Sequence, residues 1–360
     1  MIKYLGSKRR LIALIEEAVL SVGDVDVVVD LFSGTSRVGQ ALKRRGLRVK
    51  ANDYNAYAHT LARCYVEADA GAVVDDVTRL VAELNALPGK PGWFTETYCE
   101  RSRFFQPRNG ARIDVIRDAI AAKGLEPVLE AVLLTSLMEA ADRVDSTVGV
   151  QMAYLKSWAA RANKHLEMRV PELIPASPKG RCSAHRLDAV DAAAALSGDV
   201  IYLDPPYNVH SYLSNYHIWE TLIAWDRPEV YGVACKRVEC RERKSRFNSR
   251  VQFKDALLGV VARLDARALV VSFSDEGYLT KAELLAILQT RGPVSVVEQR
   301  GFQRYVGAKI GIYNPSGKKV GAVSHTENTE YVFVVTVETP PSRLAAPADD
   351  EALPLADAPA

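Results

Sequence analysis

The sequence predicts an α/β protein: a mostly parallel sheet interrupted by an inserted helical subdomain. Short β-branched runs, Val25 to Phe32 and Val200 to Leu203, are almost continuously apolar, as strands covered on both faces are. The first run leads into a turn, a helix and a second short strand, which makes a β-α-β unit. Between the two runs, from about Tyr54 to Lys179, the periodicity is helical with little strand character, and the stretch is too long for a loop.

Taken in order, Leu11 to Val22 has the apolar spacing of a helix. Val25 to Phe32 ends in Ser33-Gly34, a helix follows over Val38 to Arg45, and the strand Arg48 to Ala51 ends at Asn52-Asp53. Leu125 to Val144 is the strongest helical segment of the insert. After Val200 to Leu203, strand signal returns at Ala268 to Phe273, then a helix at Lys281 to Thr290 and strands at Val294 to Glu298 and Tyr331 to Val337. The sheet domain is therefore expected over 1–54 and 180–338, with a helical insert over 55–179. The tail 339–360, rich in Ala, Pro and acid, is expected to be disordered.

With 48% hydrophobic and 25% charged residues among 360, the composition is that of a globular chain. No apolar run approaches the roughly 20 residues that span a bilayer, and no signal-type block follows the basic start, so a soluble cytoplasmic protein is expected. The net charge of +2 gives little global pull on a polyanion. The tail holds Arg343 against Asp349, Asp350, Glu351 and Asp357, so the positive excess lies elsewhere. Five scattered cysteines without a CxxC suit a reducing compartment, and six histidines without an HxxxH predict no metal.

The turn from Asp30 to Gly39, DLFSGTSRVG, places small residues where a strand becomes a helix, so a ligand can approach the backbone. Ser36 stands where a dinucleotide fingerprint has its second glycine, which disfavours a pyrophosphate and hence a dehydrogenase. Asp53 lies 19 residues beyond Gly34, a distance suited to ribose hydroxyls; its competing role is a helix cap.

The most informative stretch is Val200 to Tyr207, VIYLDPPY, continuing as NVHSYLSNYHIWETL. A buried strand ends in an acid, two prolines and an aromatic, so the Asp204 carboxylate emerges at the carboxyl edge where open α/β sheets bind ligands. The prolines stiffen that edge and leave neighbouring carbonyls free. This arrangement suits alkylation of an exocyclic amine, whose lone pair is delocalised into its ring. Asp204 and the Pro205 carbonyl can accept both amino hydrogens and aim the nitrogen, while Tyr207 offers a stacking face. Tyr202 points to the other side of the strand, into the core. A merely rigid turn is the competing view.

These pieces resemble the D12 class of N6-adenine DNA methyltransferases, the Dam-like group. The resemblance covers residues 2 to 337 and rests on Lys3-Tyr-Leu-Gly-Ser-Lys8, DLFSGTS, Asn52-Asp53 and DPPYN with SNYHIWETL, in that order around a large insert. It implies a Rossmann-like sheet using S-adenosylmethionine, with Tyr4 and Lys8 at the cofactor's methionine end, and Asp30, Phe32, Gly34 and Thr35 in the first-strand motif. Ser36 departs from that motif's commoner glycine. Asp53 is implied to hold the ribose, and Asp188 the adenine, with Asp191 a nearby competitor. Asp204, which also borders the cofactor, Pro205 and Tyr207 match the target-base motif. The implied reaction is displacement at the sulfonium methyl by an adenine extruded from duplex DNA, requiring neither a metal nor a covalent intermediate.

Two basic segments are candidates for DNA contact. Lys236 to Arg250 contributes Lys236, Arg237, Arg241, Arg243, Lys244 and Arg246 as a mobile loop on phosphates, against a plain solvated face. Within Arg101 to Arg117, Arg103, Arg108 and Asn109 are candidates for phosphates and base edges, against a view in which Phe104 and Phe105 are core. In the family this insert carries target recognition. A third basic, Gly-rich stretch is Gln303 to Lys319. The expected function is a site-specific adenine methylase of double-stranded DNA, paired with a restriction endonuclease on another chain. The alternatives are an N4-cytosine or RNA-base methyltransferase and a non-catalytic nucleic-acid-binding regulator.

Overall fold

A computed structural model describes residues 1–303, 312–313, 319–321 and 327–338. Its main sheet has seven strands: β1 (Val27–Asp30), β2 (Arg48–Asn52), β3 (Ser183–His185), β4 (Val200–Leu203), β5 (Ala268–Ser274), β6 (Val294–Gln303) and β7 (Glu327–Thr336). Their order is β3-β2-β1-β4-β5-β7-β6. The first five are parallel, and β7 lies antiparallel between β5 and β6. The longer helices are α1 (Ile12–Leu20), α2 (Arg37–Arg44), α3 (Ala56–Ala62), α4 (Ala70–Ala86), α5 (Pro107–Ala122), α6 (Pro127–Asp142), α7 (Ala189–Ala195), α8 (His217–Ala224), α9 (Phe253–Val261) and α10 (Lys281–Leu288). This is the Rossmann-like architecture that the sequence predicts.

Both faces of the central strands are covered, which explains their unbroken apolar runs. Successive residues point to opposite faces, so Val28 packs with Leu11, Ile15 and Leu42 beneath α1 and α2. Val29 instead joins Ala192, Leu257 and Leu284 from α7, α9 and α10. Tyr202 is buried in the first of these layers, with its hydroxyl on Ser272, as its place in the alternation predicts.

The helical block from α3 to α6 forms a third core, shared with Ile2 from the chain start and with Tyr216, Ile218 and Trp219 around α8. Phe104 and Phe105 are completely buried within it, so these two side chains are core.

Three strands differ from expectation. The sequence reading has no β3, three half-buried residues, Ser-Ala-His, whose chain carries no apolar run; it exists because Lys50 to Asn52 offer an open ladder to Ser183 to His185. β6 and β7 each run ten residues, longer than expected, because they pair along nearly their whole length from Val294↔Val335 to Gln303↔Glu327. The tail 339–360 and most of the Gln303 to Lys319 candidate lie outside the described residues.

Candidate active site

β1 and β4 are hydrogen-bonded neighbours, with Asp30 opposite Tyr202. From β1 the chain builds outward through β2 and β3, and from β4 it builds the other way through β5, so the loops at their carboxyl ends diverge. A crevice at such a switch point is where open α/β sheets hold ligands. Here it is a cavity of about 490 Å³, within the range of small-molecule sites. It is bounded by the N-terminal segment Tyr4 to Lys8, the Asp30 to Thr35 turn, Asp53, Asp188, Asp204 and a cover of residues 242–248.

The turn after β1 is held by carboxylates. Asp53 accepts from the Gly34 amide at 3.0 Å through Oδ2, and from the Asn55 amide at 2.9 Å through Oδ1. It thus ties the end of β2 to the glycine turn, where Gly34 has φ +50° and a Cβ would come within 3.4 Å of the Tyr4 ring. Asp30 is 1% exposed; its Oδ2 accepts from Gly39 at 3.1 Å, while Oδ1 is buried with no partner. Burial, reinforced by the charges of Asp204 and Asp53 and opposed by the Gly39 amide, pushes its pKa up to about 7. Burial also raises Asp53, against the amides that favour its ionised form.

Tyr4 stacks on Tyr216 at 4.7 Å and on Tyr212 at 5.1 Å between ring centres, with its hydroxyl 3.2 Å from that of Tyr57. Phe32 meets Phe247 of the cover edge-on at 5.2 Å, and Thr35 is buried against the cavity. Asp188 caps α7 by accepting from the Val190 amide at 2.9 Å and lines the cavity, whereas Asp191 is not among the lining residues.

Lys8 lines the cavity and its ammonium already has protein partners. Its Nζ lies 3.1 Å from Asp204 Oδ1 and 3.6 Å from Glu330 Oε2, and 5.5 Å from the centre of the Tyr207 ring. Burial opposes its charge, yet Asp204 and its other anionic neighbours hold its pKa well above the ordinary lysine value. Burial raises the Asp204 pKa, and Lys8 works against that rise. Pro205 is buried; Tyr207 is half-buried against Phe273 at 5.1 Å, and burial pushes its pKa up to about 12. Neither Pro205 nor Tyr207 is among the residues lining the cavity.

The basic candidates separate into different groups. Asn109 is fully buried: its Nδ2 donates to the carbonyl of Lys164 at 3.0 Å and its Oδ1 accepts from the Leu166 amide at 3.0 Å. It clamps a loop inside the protein and cannot read a base edge, which corrects the expectation placed on it. Arg237 is likewise buried, bridging Asp226 at 2.8 Å and Glu239 at 2.7 Å, and cannot serve a phosphate. Arg243 faces inward, with Nη2 2.8 Å from Asn55 Oδ1 and 3.3 Å from Glu220 Oε1, its guanidinium over Tyr54 at 4.9 Å. The remaining candidates are more accessible. Arg241 is exposed with its guanidinium 3.6 Å over Tyr231; Lys244 and Arg246 are exposed at the cavity rim. Lys236 is half-buried with Nζ on Met152 Sδ; Arg103 stacks on Trp158 at 4.7 Å, and Arg108 donates to the carbonyl of Asn163.

Segment 236–250 holds a strand pair with Val230–Tyr231, a short helix Glu239–Glu242 and a turn Arg246–Asn248. Its inner side roofs the cavity. The sequence reading missed the internal pairing of Arg237 and Arg243 because a run of charges does not show which members pair internally.

Four residues of the site were given no role by sequence reasoning. Asn52 joins the carboxyl ends of three segments, donating to the carbonyls of Leu31 and Leu187 and accepting from the Leu187 amide. Glu220, 2% exposed, accepts from the Ala56 and Tyr57 amides, and Asn55 carries Arg243. Glu330 faces Lys8 from β7. Of these, Asn52 stood in the Asn52-Asp53 motif and Glu220 in HIWETL, a carboxylate among apolar residues; Asn55 and Glu330 had no local signal. Among the described residues, no cluster of His, Cys, Asp and Glu is set to hold a metal, and no helix is long and apolar enough to cross a membrane.

Comparison with known proteins agrees with this geometry. The type II methyltransferase M.FokI of Planomicrobium okeanokoites is 29% identical over 81% of this chain and 47% of its own length. The type II methyltransferase M.NlaIII of Neisseria lactamica is 28% identical over 85% of this chain and 93% of its own. The type II methyltransferase M.CviAII of Paramecium bursaria Chlorella virus 1 is 27% identical over 94% and 99%. The chain thus spans about half of the first relative and nearly all of the other two. The sequence model of one family matches residues 4–286, from the tyrosine at the cavity's edge through the DPPY turn to α10. On that match, the chain belongs to the D12 class of N6 adenine-specific DNA methyltransferases.

Proposed function

We propose that this chain transfers the methyl group of S-adenosylmethionine to N6 of an adenine turned out of double-stranded DNA, as the modification enzyme of a restriction-modification pair acting in the cytoplasm. The observation that carries this reading is Asp204: it ends a buried strand on a Pro-Pro turn, borders the switch-point cavity, and has one oxygen anchored by Lys8. The names of the relatives support the DNA-modification role; the five buried free cysteines support a reducing compartment.

The residues present fit S-adenosylmethionine. The cavity joins acids to aromatic walls, and Asp30 Oδ1 is a buried acceptor still lacking a donor, as an ammonium or hydroxyl would supply. Asp30 and Tyr4 would hold the methionine end, Asp53 the ribose and Asp188 the base, with Phe32, Gly34 and Thr35 forming the wall. When bound, S-adenosylmethionine supplies a methyl group made electrophilic by its sulfonium. Asp204 and the Pro205 carbonyl accept the two amino hydrogens, which orients the adenine nitrogen and raises its electron density. The proton released passes to solvent or to Asp204. Tyr207 gives the extruded base a face to stack on, offsetting part of the few kcal/mol that extrusion costs. Arg103, Arg108, Lys236, Arg241, Lys244 and Arg246 supply phosphate contacts.

The test is transfer of labelled methyl groups to unmethylated genomic DNA, with nucleoside mass analysis of the product. N6-methyladenine is expected; N4-methylcytosine or no product overturns the assignment. Asp204→Ala should reduce transfer by at least about a hundredfold while cofactor binding by calorimetry persists.

A further inference from the structure

Lys8 has two carboxylate neighbours, and only Asp204 belongs to the DPPY turn. The second, Glu330, stands on β7 opposite Ser274 of β5. The fold thus brings it from two strands away to the margin where β4 ends. Its position lies beyond the stretch matched to the family.

The side chain of Glu330 is 15% exposed, and its Oε2 is buried without a hydrogen bond. A carboxylate so placed is costly to desolvate and needs a compensating charge. Among the described residues, its ionic partner is Lys8 at 3.6 Å, just beyond hydrogen-bonding distance. Lys8 is 7% exposed and carries a mobile four-carbon stem. Facing Asp204 alone, its ammonium could settle across both carboxylate oxygens. Drawn also toward Glu330, its nearest contact on Asp204 is a single oxygen, Oδ1.

We propose that Glu330 is a positioning residue for methyl transfer: it holds the Lys8 ammonium on one oxygen of Asp204, leaving the other oxygen to accept an N6 hydrogen of the target adenine. This rests on the methyl-transfer reading above. Glu330 touches neither substrate nor cofactor; its effect passes through Lys8. Tyr207, whose ring lies beside Lys8, and Asp275, near Glu330, complete the charged and titratable surroundings.

A double-mutant cycle tests it, using single-turnover transfer from tritium-labelled S-adenosylmethionine to unmethylated genomic DNA, with cofactor affinity and thermal melting as controls. Glu330→Gln is expected to slow transfer about tenfold or more with cofactor affinity within about twofold of wild type. Glu330→Asp, which keeps the charge, should run at least about threefold faster than Glu330→Gln, and it serves as the slowed variant if Glu330→Gln does not fold. In a Lys8→Met background the same substitutions should change the rate by less than about twofold, because the ammonium they act through is gone. Glu330→Gln at the wild-type rate, or an equal slowing with and without Lys8, overturns the inference alone. A wild-type chain that methylates no DNA overturns the methyl-transfer reading and this inference with it.

Discussion

Ser36 shows how one residue can matter through its backbone alone. It caps α2 with φ 58° and ψ 24°, the left-handed region that side chains avoid, and its buried hydroxyl has no partner. Ser36→Gly is therefore expected to stabilise the chain by about 1 kcal/mol in urea titration. Asp30 carries a second consequence. Its carboxyl ionises near 3.8 when unfolded and at about 7 in place, so between those values the folded chain holds the extra proton. Its contribution to stability thus falls as pH rises from about 4 to 7, at about 1.4 kcal/mol per unit, and is flat above. Asp30→Asn keeps an acceptor for Gly39, so melts of the cofactor-free chain should lose that slope and gain a few kcal/mol at pH 8. The types of the site residues were legible because acid, proline and aromatic were fixed relative to strand ends. Orientation was not, and this is why Asn109 and Arg237 were assigned to DNA although their polar atoms are used inside.

Helix α8 acts at its neighbour's end. Glu220 accepts from the first two amides of α3, Ala56 at 3.1 Å and Tyr57 at 3.2 Å, satisfying orphan donors at the positive end of the dipole. It also meets Arg243 from the cavity cover at 3.3 Å. Glu220→Ala should cost about 3 kcal/mol in chemical denaturation and loosen the cover, seen as faster cofactor release in stopped flow. This coupling crosses 164 residues of sequence, so no local pattern announces it. Elements with strong periodicity, such as α6 and β5, were legible almost to their ends. β3 was not, because three half-buried residues at a sheet edge take their strand conformation from β2 and not from their own composition.

Across the molecule, the helical block is woven into its surroundings. Its core includes Ile2 from one side and Tyr216, Ile218 and Trp219 from the other. The fragment 55–179 expressed alone should show no cooperative thermal transition, while the full chain melts cooperatively; a sharp transition in the fragment would show that the shared packing is dispensable. The sheet imposes an order on biosynthesis as well. Val28 of β1 lies beside Val200 of β4, so β1 lacks its inner neighbour until the ribosome has added a further 172 positions. At typical elongation speeds that wait is about ten seconds or longer, during which an adhesive valine run stays half-paired in the nascent polypeptide. Chaperone protection during translation is the natural price of bringing DLFSGTS and DPPY side by side from such distant stretches of message.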